Sequence, residues 1–257
     1  MAVGRGDIEA QQDNFVEPCG ADFAFRTWRN YPTSEATQRI KSRRSRFECE
    51  TLPGRFLCEY TYFRDDFNDG VIGPEWDATA NVSEHDGIVE FFEATDCEMH
   101  LTGEPKLGSN TNIEFLLKIL AVPTFPQCTI CLTQLANFQA SSGIYYDNSG
   151  NVTLWYRHPT LGGPYCWNGT TWNFGWATIA GWTFTIDEWY KLQVLSENDK
   201  WRYVITDSSN VVKLQTDPVL WTDIDDYPNL YWVLGYDGPG PSPDMLIEYF
   251  EICYDTP

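Results

Sequence analysis

From Asp65 to the C-terminus, apolar and polar residues alternate with a period of two, in short runs broken by turn residues. This is the pattern of half-buried strands. In IEFLLKILAV (113–122), Ile113, Phe115, Leu117 and Ile119 share one face. GIYYDNSGNVTLWYR (143–157) reads as two strands around Asp147-Asn148-Ser149-Gly150-Asn151, a hairpin signature. EWYKLQVLSE (188–197) sets Tyr190, Leu192 and Val194 on one face, with Lys191 and Gln193 on the other. WRYVITDSSNVVKLQT (201–216) is a second hairpin around Asp207–Asn210, and YWVLGYD and DMLIEYFEICY add two late strands. Many short strands with turn signals, no strong helix and no fixed-period repeat predict an all-β antiparallel sandwich.

Residues 1–64 differ. They show little apolar periodicity before Phe47, and QRIKSRRSRF gathers Arg39, Lys41, Arg43, Arg44 and Arg46. The segment reads as an extended N-terminal arm with a short helix around Ser34–Ser42, so the chain divides into an arm (1–64) and a sandwich (65–257). Near its end, Cys49 and Cys58 flank Leu52-Pro53-Gly54, which predicts a hairpin able to bring the two thiols face to face.

Charge sharpens this division. Residues 1–64 hold 10 Lys+Arg and 9 Asp+Glu, and residues 65–257 hold 7 and 28, so +1 and -21 sum to the net charge of -20. A chain with 16% aromatics and 11 Trp is not a disordered acidic polymer. An acidic body also argues against nucleic acid as a partner. The basic cluster is expected to pair with carboxylates, because arginine forks match carboxylates in a bidentate way. Exposed pairs contribute only ~0–1 kcal/mol each. The arm is therefore expected to be anchored by Phe15, Phe23, Phe25, Trp28 and Tyr31, with Trp28 foremost. It is either a strap on its own domain or an assembly arm that lies on another subunit. No apolar stretch reaches the ~20 residues of a membrane span, and the N-terminus lacks the apolar core of a secretory signal. The expectation is synthesis in a cytosol without membrane insertion, and a place in a virion or outside the cell after lysis.

Asp65-Asp66-Phe67-Asn68-Asp69-Gly70 followed by Gly73-Pro74-Glu75-Trp76 resembles the opening strand of concanavalin A-like lectin/glucanase domains. Ile186-Asp187-Glu188-Trp189-Tyr190-Lys191-Leu192 and Leu246-Ile247-Glu248-Tyr249-Phe250-Glu251-Ile252 resemble a later strand and the final strand, in the right order. The resemblance spans 65–257 and implies a jelly roll whose last strand lies beside its first. It also implies a sheet face used for glycan binding or hydrolysis, and a structural Ca²⁺ held by Asp66 and Glu248 with Asp69. Calcium takes 6–8 oxygen ligands. The E-x-D-x-E strand of the retaining glucanases is absent, and so are the arginine and glutamine strings of the polysaccharide lyases. Glu93-Ala-Thr-Asp96-Cys-Glu98 is the nearest acidic run, and it puts only Asp96 and Glu98 on one face.

Six of the 11 Trp (155, 167, 172, 176, 182 and 189) fall within 35 residues, amid Gly, Asn and Thr. Trp155, Trp167, Trp172, Trp176 and Trp182 are the candidate glycan platform, since the CH face of a pyranose stacks on an aromatic ring. A subunit interface or plain packing accounts for the same composition. Cys128-x-x-Cys131 is half a zinc motif without a second half, and strict alternation sends the two residues to opposite faces. The function expected from these features is a non-catalytic, lectin-like jelly-roll structural protein of a larger assembly, of virion or phage decoration or attachment type. It would be anchored by its arm and would bind glycans through the tryptophan-rich surface. The alternatives are a free-standing carbohydrate-binding module and a polysaccharide-degrading glycoside hydrolase.

Overall fold

A computed structural model describes residues 43–51, 54–93, 97–101, 111–134, 141–158, 161–179, 181–197, 200–220, 231–235 and 242–255. Among these there is no helix, and two antiparallel sheets hold the strands. The ten-stranded sheet A runs β1 (Arg43–Thr51), β2 (Gly54–Asp65), β18 (Met245–Asp255), β7 (Thr111–Ile119), β13 (Trp189–Glu197), β14 (Lys200–Asp207) and β15 (Val212–Gln215). Off this path, β16 (Val219–Leu220) pairs with β14, and the β4 (Val82–His85)–β5 (Ile88–Phe91) hairpin joins β18 through β5. The eight-stranded sheet B runs β12 (Trp172–Phe174), β11 (Gly162–Trp167), β10 (Val152–His158), β9 (Ser141–Tyr146), β8 (Cys128–Gln134), β17 (Tyr231–Gly235), β6 (Glu98–Leu101) and β3 (Trp76–Ala78).

The alternation read from the sequence sets the inner faces. Ile113, Phe115, Leu117 and Ile119 of β7 are all buried, as are Tyr190, Leu192 and Val194 of β13. They meet Ile144, Tyr146, Leu154, Trp232 and Leu234 of sheet B in one continuous core. Each such side chain contributes about 1.5–3 kcal/mol when fully buried. Both forecast hairpins form, and an aspartate closes each turn. Asp147 Oδ1 accepts from the Ser149 and Asn151 amides, and Asp207 Oδ1 from those of Ser209 and Val211.

The Asp65–Trp76 phrase has a structural explanation. Asp65 is buried, and its carboxylate accepts from the Phe67 amide at 3.0 Å and from Trp76 Nε1 at 2.9 Å. It thereby ties the end of β2 in sheet A to β3 in sheet B. Trp76 packs edge-on against Phe250 of β18 at 5.2 Å. The last strand lies beside this opening strand, with Phe250 opposite Asp65.

The N-terminal boundary moves. Arg43–Asp65 is not an arm outside the sandwich: β1 and β2 form a hairpin, and β2 pairs with β18 from Tyr60 to Asp65. Among the described residues the sheet therefore begins at Arg43. Arginines at strand positions masked its period in the sequence. In the register Arg43 lies opposite Tyr62, Arg44 opposite Thr61 and Arg46 opposite Glu59. Cys49 lies opposite Phe56 and Cys58 opposite Phe47, so the two cysteines are diagonal neighbours and not a facing pair. Trp28, Arg39, Lys41 and the helix expected around Ser34–Ser42 lie outside the described residues.

Candidate functional site

The outer face of sheet B, turned away from the main core, carries a second aromatic group. Tyr145 of β9, Trp155 of β10, Cys166 of β11 and Val233 of β17 form a small buried cluster, with Ala177 packed on it. These residues sit together because alternation sends Ile144, Leu154 and Tyr165 inward and their neighbours outward. Tyr145 and Trp155 lie 5.3 Å apart at 32°. Over them lies Trp176, stacked on Tyr145 at 5.8 Å and 26° and tilted on Trp155 at 5.7 Å. Trp176 is 60% exposed, whereas Trp155 is 6% exposed. The strand neighbours of Trp155 are small, Gly143 on one side and Cys166 on the other. Trp155 Nε1 is buried and finds no acceptor.

The five sequence-chosen tryptophans do not form one platform. Trp155 and Trp176 meet on the outer face, but Trp167 belongs to the main core and Trp172 and Trp182 pack against it. Trp172 and Trp167 face each other across β11 and β12 on the inner side, and Trp172 Nε1 donates to the Asp217 carbonyl at 3.1 Å. Trp182 lies edge-on to Phe184 at 4.9 Å. Tyr145, which completes the outer pair, was not selected from the sequence. Its signal was the alternation in GIYYDN, which gives Tyr145 and Tyr146 opposite faces.

Sheet A carries a polar row on its own outer face. Arg64, Glu251, Glu114 and Gln193 are successive cross-strand neighbours on β2, β18, β7 and β13. Arg64 donates to Glu251 at 2.6 Å and to Asp66, and its guanidinium lies 4.1 Å above the Tyr249 ring. Tyr249 donates to Glu114, and Gln193 Nε2 donates to Glu114 Oε2 at 2.8 Å. Burial acts to lower the pKa of Arg64, but Asp66 and Glu251 outweigh it and hold the pKa above its ordinary value. Burial, then Glu114, pushes Tyr249 up. Gln193, on the face opposite Leu192 and Val194, is itself buried within this row. The row is mutually satisfied and has the features of a structural network.

The expected Ca²⁺ ligands do not converge. Asp66 is taken by Arg64 at 2.6 Å, and Asp69 Oδ1 accepts from the Val71 amide. Glu248 is exposed on β18. Among the described residues no three acidic, histidine or cysteine side chains are placed to hold a metal. Cys128 and Cys131 also depart from expectation. A β-bulge after Thr129 places them opposite Tyr146 and Ile144, which both point inward, so the extra residue cancels the alternation. Burial, then Glu93 and Asp244, pushes the Cys128 thiol up to about 12. Such a thiol is protonated at neutral pH and is a poor metal ligand. Asp96 lies outside the described residues.

No protein-family profile matches the sequence, and no curated protein sequence matches it. Solved structures do share the architecture. A protein of unknown function from Shewanella oneidensis MR-1 superposes with a TM-score of 0.53 at 12% identity, over 86% of this chain and 90% of that one. β-Agarase A from Zobellia galactanivorans gives 0.51 at 10% identity, over 77% and 93%. The fold is a concanavalin A-like jelly roll. A xylan β-1,4-xylosidase from Bacillus halodurans C-125 also gives 0.51 at 10% identity, over 74% of this chain but only 38% of the enzyme. At these identities the jelly roll alone is shared. No helix among the described residues is long and apolar enough to cross a membrane.

Proposed function

We propose that this jelly roll is a non-catalytic carbohydrate-binding protein that takes a neutral saccharide on the outer face of sheet B. The observation that carries this is the Tyr145–Trp155 pair with Trp176 over it, on a sheet face where rings of sugar size can stack. The strands beneath support the non-catalytic half of this reading. Glycoside hydrolysis requires two carboxylates across the scissile bond, ~5–5.5 Å apart for retention or ~6.5–9.5 Å for inversion. The six adjacent strands β12, β11, β10, β9, β8 and β17 contain no Asp or Glu. β-Agarase A, which shares this fold at a TM-score of 0.51, has been solved with oligoagarose. The test is calorimetric titration with neutral agaro- and xylo-oligosaccharides, together with a reducing-sugar assay. Binding that is lost in Tyr145→Ala and kept in Trp172→Ala, with no sugar release, supports the reading. Sugar release overturns its non-catalytic half, and binding untouched by Tyr145→Ala moves the site elsewhere.

A second reading, compatible with the first, makes the protein a subunit of a larger assembly. The β1–β2 hairpin favours it. Residues 54–59 of β2 pair with β1 but extend past the last β18 partner, Asp255 opposite Tyr60. A projecting two-stranded ribbon is marginal alone and offers backbone groups to a neighbouring chain. The segment 1–42 that precedes it would supply the arm. Light scattering at physiological salt would read a defined oligomer that dissociates when 1–42 is deleted. A monomer of the full chain would sink this reading.

A further inference from the structure

We propose that Trp176 is a hinged aromatic lid, which occupies the seat that a saccharide ring takes on Tyr145 and Trp155 and lifts away for binding. The choice of occupant rests on the carbohydrate reading above, but the motion does not. Three observations converge on it. Among the described residues Trp176 makes ring contact with Tyr145 and Trp155 alone, and it is 60% exposed, so these two stacking contacts hold its seat without enclosing it. Contacts of this kind each shift an equilibrium by roughly two- to tenfold. The floor beneath is complete without it. Trp155 lies between two small cross-strand neighbours, Gly143 and Cys166, and beside the Tyr145 ring. The third observation is Trp155 Nε1, a buried donor with no acceptor. A donor in that state carries a desolvation cost, and a saccharide hydroxyl would relieve it, whereas the Trp176 ring, with no lone pair in its plane, does not.

The segment around Trp176 is built to let the ring move while the chain stays in place. Upstream, the Gly175 amide donates to the Pro164 carbonyl at 2.9 Å. Downstream, the Ile179 amide donates to the Val152 carbonyl at 2.8 Å. Between these anchors Ala177 packs on the cluster of Tyr145, Trp155, Cys166 and Val233. Gly175 has φ of +106°, and a Cβ there would meet nothing within 4 Å, so the joint before Trp176 is both free of side chain and open. Binding then proceeds from a minor open state, and the closed lid lowers the apparent affinity by the fraction of time it is shut.

The test has a ligand-free arm and a ligand arm. In the first, indole exchange is read by NMR on ¹⁵N-Trp protein, with Trp155→Phe and Trp232→Phe for assignment. Trp232 Nε1 is the internal reference, since it is also buried without an acceptor but lies in the main core. An opening lid makes the Trp155 indole exchange at least about tenfold faster than that of Trp232, and faster again in Trp176→Ala. Equal, slow exchange of the two overturns the lid. In the second arm, wild-type and Trp176→Ala proteins are titrated with agaro- and xylo-oligosaccharides. The variant is expected to bind tighter by roughly two- to tenfold. Weaker binding by the variant overturns the lid and makes Trp176 an ordinary contact. Fast Trp155 exchange with no binding by either protein leaves the lid standing and defeats the carbohydrate reading.

Discussion

Gly235, at the end of β17, shows how little room the sandwich leaves at the residue scale. Its φ is +67°, and a Cβ built there would stand 2.3 Å from the Cys97 carbonyl oxygen and 3.1 Å from the Phe91 ring. Because the first obstacle is backbone, it cannot swing aside. Gly235→Ala is expected to destabilise the protein by about 3 kcal/mol, read as a lowered urea midpoint at unchanged slope. Gly162→Ala is the matched control, since its φ of +77° is similar but nothing lies within 4 Å. Its cost is expected to be clearly smaller. Cys128 supplies a pH prediction. Its folded pKa is raised from 9.0 to about 12. The neutral thiol is therefore favoured by folding, and that stability is fully present below the unfolded value near 9. It is lost progressively as pH rises from there toward the folded value of about 12. Native protein at pH 8 should resist iodoacetamide at Cys128 while the same protein in urea reacts, as peptide mass spectrometry would read. Rapid native labelling would contradict the burial described.

At the scale of elements, the polar row of sheet A sets two carboxylates, Glu251 and Glu114, directly opposite each other on β18 and β7. Like charges at such positions destabilise a sheet, so the row depends on Arg64 at one end and on Tyr249, Gln193 and Lys191 at the other. Removing the arginine takes the guanidinium away from both Asp66 and Glu251. Arg64→Leu is expected to cost about 2–3 kcal/mol in chemical denaturation, and Arg64→Leu with Glu251→Leu about half of that. Equal losses in the two variants would show that Arg64 acts through packing alone. The row illustrates what the sequence disclosed and what it hid. The inward stripes of β7 and β13 were legible because strict alternation against one core leaves a two-residue period. The partnership of Arg64 with Glu251 was not, since it joins residues 187 apart that only the topology brings together. The same limit applied to the tryptophans. Composition marked the region, but Trp167 and Trp172 point inward while Trp155 points outward. That distinction depends on register, which composition does not carry. The β1 strand from Arg43 was hidden for the opposite reason, because basic residues occupy strand positions there.

For the whole molecule, the deciding quantity is the distribution of charge around the proposed binding face. The chain carries a net charge of -20, yet the strands β8–β12 and β17 beneath the aromatic pair contribute no acidic residue. Arg157 is exposed on the same face of β10 as Trp155. The acidic charge of the chain thus lies outside these six strands, which have little charge of their own. The field of that charge repels an anionic polysaccharide from a distance, and the repulsion acts on arrival before any stacking contact forms. A neutral saccharide feels none of it, and stacking on Tyr145 and Trp155 is insensitive to salt. The Debye length falls from about 30 Å at 0.01 M to about 3 Å at 1 M, so ionic strength separates the two cases. Affinity for a neutral oligosaccharide is expected to change by less than about twofold across that range. A polyuronate of equal length is expected to bind measurably only at the high-salt end, if its rings fit at all. Binding of a polyuronate that is tightest at low salt would mean that Arg157 or another cation dominates the face. The neutral-ligand assignment would then fail even with the aromatic pair in place.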